Sequence, residues 1–131
     1  MNMTKLKFIL FILSFILYYG FSYAILLKTS KVKTRGKYKI TLINEFEGIE
    51  YFILCYPDEL ILECGEEANI DLPYRSRSGS DNGSLGKIVK GIVDQSRQSF
   101  LNDDQIESGY VLLDVAYPRS DLIIEYGLSE I

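Results

Sequence analysis

Twenty consecutive residues without a charge, Phe8 to Leu27 (FILFILSFILYYGFSYAILL), divide this chain in two. A helix rises about 1.5 Å per residue, so the run reaches about 30 Å, the hydrocarbon thickness of a bilayer. Tyr18, Tyr19 and Tyr23 give it the aromatic end typical of membrane interfaces. The run predicts a transmembrane helix over residues 8–27, with Phe8, Leu17 and Leu27 marking its length. A cleaved signal peptide competes: Lys5 and Lys7 supply a basic start, and Ser22-Tyr23-Ala24 a small-x-small site. The anchor is favoured, because a signal core is only about 7–15 residues long. Cleavage after Ala24 would also expose Ile25-Leu26-Leu27 at the new terminus.

Charge follows the same division. Residues 1–37 hold seven basic residues and no acid. Residues 38–131 hold the remaining seven of 14 basic residues and all 18 acids, a net of −11. Residues 1–7 read as a basic flank and 28–37, with Lys28, Lys31, Lys33, Arg35 and Lys37, as a basic linker. By the positive-inside rule the domain after the helix stays on the cytoplasmic or stromal side. The acidic body excludes nucleic acid as a partner and favours basic protein surfaces. The chain has no histidine, which removes the commonest general base and the Ser-His and Cys-His nucleophile pairs. No enzymatic activity is expected. Cys55 and Cys64 match neither a disulfide framework nor a metal motif and read as small apolar fillers.

From Lys37 the pattern becomes mixed. Lys37–Asn44 alternates apolar and polar residues and predicts a strand; Glu47-Gly48 turns the chain; Ile49–Cys55 predicts the second strand of a hairpin. Asp58 is placed to cap a helix that Ile70–Pro73 ends. Tyr74–Lys87 is a polar loop of a length usually reserved for function. A short strand at Ile88–Val93, a helical turn in Phe100–Glu107, and strands at Tyr110–Val115 and Leu122–Tyr126 complete an α+β order.

The words YKITL, EEANIDLPY (66–74) and GKIVKGIVDQSRQSFLNDDQIESGYVLLDVAYPRSD (86–121) closely resemble the plant-type [2Fe–2S] ferredoxins of chloroplasts and cyanobacteria. The resemblance covers residues 38–131 and implies a β-grasp domain, a mixed sheet wrapping one main helix. The family holds its cluster with C-x₄-C-x₂-C and a distant fourth cysteine. Those positions fall on Ser76, Asp81, Ser84 and Asp114, so all four carry oxygen. Iron–sulfur clusters prefer soft thiolates, so the expectation is a member that has lost its cluster, with no cofactor and no metal. Family partners dock on acidic patches and one aromatic. Here Phe100 matches the aromatic, and Asp94, Asp103, Asp104, Glu66, Glu67 and Glu130 match the acids. The glutamate that couples the family to its reductase falls on Ser129, and Leu128 and Ile131 make the tail more apolar.

Together these readings predict a non-redox structural or assembly subunit of a photosynthetic membrane complex. It would be single-pass in the plastid thylakoid membrane, with its C-terminal domain in the stroma. Two alternatives are a regulatory decoy that occupies a ferredoxin docking site, and an electron-transfer protein with an atypical metal site.

Overall fold

The computed structural model describes residues 2–30 and 36–131, and the side chains of the first helix as far as Leu17. The chain forms two compact units, Met1–Arg35 and Gly36–Ile131.

In the first unit the apolar run lies within α1 (Met3–Ser30). Among the described residues no helix is long and apolar enough to cross a membrane, which corrects the transmembrane assignment over 8–27. The Leu27 side chain and residues 31–35 of the expected linker lie outside what the structure describes.

In the second unit, β1 (Tyr38–Asn44) and β2 (Ile49–Cys55) pair antiparallel, with Ile40 opposite Ile53 and Leu42 opposite Tyr51. The turn between them uses Gly48 at φ 68°, and the Asn44 side chain accepts the Glu47 N–H at 3.1 Å. β7 (Leu122–Tyr126) lies parallel to β1 on its other side, β3 (Leu85–Lys90) lies antiparallel to β7, and β5 (Tyr110–Leu112) closes the order β2-β1-β7-β3-β5. A parallel central pair with antiparallel edges is the β-grasp arrangement expected. β4 (Val93–Asp94) and β6 (Tyr117–Pro118) form a separate two-stranded ribbon.

Period-two alternation sends Ile40 and Leu42 of β1 and Leu122, Ile124 and Tyr126 of β7 to the same buried face. α2 (Ile61–Glu67) covers that face with Ile61, Leu62 and Cys64. Asp58 does not cap α2. It sits in the turn closed by Glu59 N–H to Tyr56 O, and Leu60 occupies the cap position without a side-chain bond. The backbone of the 113–116 segment replaces the cap: Ile61 N–H donates to Ala116 O at 3.0 Å and Leu62 N–H to Leu113 O at 3.1 Å. A second cluster, Leu85, Leu101, Leu112 and Val115, packs with Tyr110 and Leu128 beneath the polar loop. The apolar tail residue Leu128 therefore serves its own domain. α3 (Asp103–Glu107) carries a full capping box, with Asn102 and Gln105 exchanging side-chain-to-backbone bonds at 2.9 Å.

Candidate functional site

The polar loop between α2 and β3 closes on itself through the four positions singled out in the sequence. They fall into two pairs. Ser84 and Asp114 are buried and bonded directly, Ser84 Oγ donating to Asp114 Oδ1 at 2.9 Å. The other Asp114 oxygen accepts the Gly79 N–H at 3.0 Å, and the Asp114 N–H donates to Ser84 Oγ at 3.2 Å. The second pair lies nearer the surface. The Ser76 hydroxyl and the Gly83 N–H, the latter at 2.8 Å, hold the Asp81 carboxyl below its ordinary pKa. Ser76 also accepts from Ser78 Oγ at 2.9 Å. The loop packs tightly: Gly79 has φ 68°, and a Cβ there would stand 2.6 Å from Val115.

The docking residues divide too. Asp94 is held by Arg119 at 3.2 Å, and the Ser96 N–H, at 3.0 Å, is the chief reason its pKa is lowered. Glu66 forms a forked pair with Arg77, whose guanidinium lies 4.0 Å over the Tyr74 ring; the pair raises the Arg77 pKa. Glu67, Phe100, Asp103, Asp104 and Glu130 are exposed. Asp103 and Asp104 open the first turn of α3, where negative charge is favoured. Asn82 Nδ2 donates to Ser129 O at 3.2 Å, tying the tail to the loop.

A further group was missed in the sequence. Cys55 ends β2, Cys64 lies in α2, and the two form a disulfide with Cα atoms 5.7 Å apart. This corrects their reading as separate apolar fillers. The turn Tyr56–Leu60 brings the chain back on itself and places Glu59 beside the pair, its Oε2 3.5 Å from Cys64 Sγ. The Tyr56 N–H donates to that same oxygen at 3.1 Å.

No family model matches the chain. The heterocyst ferredoxin of Microchaete diplosiphon is 44% identical over 88 residues, 67% of this chain and 89% of that protein. Ferredoxin-2 of Leptolyngbya boryana is 39% identical over 87 residues, 66% of this chain and 88% of that protein. Among solved structures, pectocin M2 is 37% identical with a TM-score of 0.62, over 70% of this chain and 32% of that one. The fold and these relatives define a β-grasp protein of the ferredoxin type. The chain belongs to the plant-type ferredoxin family.

Membership corrects several expectations. The relatives are ferredoxins, electron carriers of the iron–sulfur class, which overturns the reading as a non-redox structural subunit and the expectation of no cofactor. The relatives are ferredoxins, and among the described residues no helix is long and apolar enough to cross a membrane, which overturns the single-pass thylakoid placement and the photosynthetic-complex partners. The family's group would need four thiolates. The Ser76, Asp81, Ser84 and Asp114 donor set does not fit it: hydroxyls and carboxylates stand in place of sulfur, and two of them satisfy each other.

Proposed function

We propose that this chain acts in electron transfer as an atypical ferredoxin, a member degenerate at the four ligand positions whose redox centre lies elsewhere. The observation that carries the reading is its likeness to ferredoxins, 44% identity across 89% of one such carrier. A docking surface suited to a carrier supports it. Phe100, Asp103, Asp104, Glu67 and Glu130 are exposed, while Asp94 and Glu66 are held by Arg119 and Arg77. Acidic residues of this kind steer basic partners and set association rates. The chain carries electrons for a partner enzyme and turns over no substrate of its own.

The test is stopped-flow transfer from the chemically reduced full chain to a basic haem acceptor such as cytochrome c. Transfer that slows as salt is raised is the expected result. Haem reduction no faster than by the reductant alone, at every salt concentration, would remove the reading.

A further inference from the structure

Cys55, Glu59 and Cys64 each present one ligand atom, and these atoms all lie within 4.8 Å of one another. Both cysteines are buried, and Glu59 is partly exposed, giving the group a route to solvent. In a tetrahedral site with metal–sulfur bonds of about 2.3 Å and metal–oxygen bonds of about 2.1 Å, a sulfur–oxygen edge is about 3.6 Å. Cys64 Sγ and Glu59 Oε2 already stand 3.5 Å apart. The Tyr56 N–H fixes the carboxylate in that position, as outer partners of metal ligands do.

We propose that Cys55, Glu59 and Cys64 form a thiol-dependent site for one divalent transition-metal ion of the iron–zinc class. The site is closed while the cysteines are paired. A dithiol reductant breaks the sulfur–sulfur bond by exchange, supplies two electrons and two protons, and is itself oxidised to a disulfide. Two thiols result. The entering metal displaces their two protons to solvent and takes two thiolates and one carboxylate, with water in the fourth position. The two sulfurs must separate to about 3.8 Å, the sulfur–sulfur edge of such a tetrahedron. The site answers to thiolate softness, which the oxygen-lined loop lacks. It names the centre that electron transfer needs and rests on the proposed function for its redox use alone.

The experiment begins with the full chain reduced by a phosphine, freed of reductant without oxygen, and titrated with Co²⁺. One equivalent should produce a thiolate-to-cobalt charge-transfer band, and Zn²⁺ should displace it. The oxidised chain should show no band. Glu59→Gln removes a direct ligand and should weaken Co²⁺ binding by at least about tenfold, the lower end for loss of even an outer-shell partner. Two free thiols, an unchanged circular dichroism spectrum and no band would overturn the site. A second arm compares iron bound by the chain purified without oxygen with that bound by the Cys55→Ser, Cys64→Ser variant. Loss of iron supports the site. Redox-active iron retained by the variant overturns it while leaving the electron-transfer reading intact, and cobalt binding without electron transfer does the reverse.

Discussion

Asp114 shows how one residue decides the loop. Its carboxylate is buried and accepts from the Gly79 N–H and the Ser84 hydroxyl, so each donor that cannot reach water is satisfied. Asp114→Ala leaves both donors unpaired and should lower unfolding free energy by about 1–3 kcal/mol in urea titration, with Asp114→Asn costing less. An unchanged midpoint for Asp114→Ala would show that the loop does not depend on this contact. Asp94 gives the acid response. Its folded pKa is lowered, chiefly by the Ser96 N–H, then by the Ser96 side chain and Arg119, so its contribution is present above the unfolded carboxylate value of about 3.9. That contribution is lost as pH falls through the folded value, because the unfolded chain binds the proton first. Asp94→Asn should therefore flatten the fall in urea midpoint below about pH 4 and leave a smaller change than Asp114→Ala at neutral pH. An identical acid limb in both proteins would contradict this. The residues that matter at this scale were partly readable. The four oxygen-bearing positions followed from the family spacing. The Cys55–Cys64 pair did not, because a nine-residue separation acquires meaning only when the Tyr56–Leu60 turn folds α2 back against β2.

Strand limits were legible where alternation was strict. β2 and β7 run over the predicted residues, and β1 differs by one, because each puts every second side chain into the core. β3 begins at Leu85, three residues before the predicted Ile88. Leu85-Gly86-Lys87 had been assigned to the polar loop, yet Gly86 pairs with Val111 and Tyr126, and a Cβ there would meet Glu125 O at 2.7 Å. The start of α2 was misread because tertiary backbone carbonyls, invisible to local pattern, do the work assigned to Asp58. α3 stands on local chemistry instead. Removing its capping box with Asn102→Ala should cost about 0.5–2 kcal/mol by chemical denaturation. No loss would mean that packing of Leu101, and not the cap, holds this turn.

For the molecule as a whole, the mixed α+β ferredoxin-like sheet was legible; the expected transmembrane helix and the non-redox reading were not upheld. The β-grasp order followed from strand pattern and family words together, while the reading of residues 8–27 as a membrane span rested on hydropathy alone, and among the described residues no helix is long and apolar enough to cross a membrane. The absence of thiolates in the loop suggested that redox work had ended, yet the relatives are ferredoxins, and the proposed centre is the Cys55–Glu59–Cys64 group, whose ligand atoms lie within 4.8 Å of one another. Long-range charge belongs to this scale. With a net of −11 over residues 38–131, association with a basic acceptor should slow steeply with salt. Asp103→Lys with Asp104→Lys should lower the association rate more than it changes dissociation, as surface plasmon resonance would read; equal rates for both chains would move the docking face away from α3. The most direct measurement is a potentiometric titration of the full chain, purified without oxygen, followed by electron paramagnetic resonance and metal analysis. A reversible couple from a bound transition metal is the predicted result, and a metal-free protein with no couple would contradict the account.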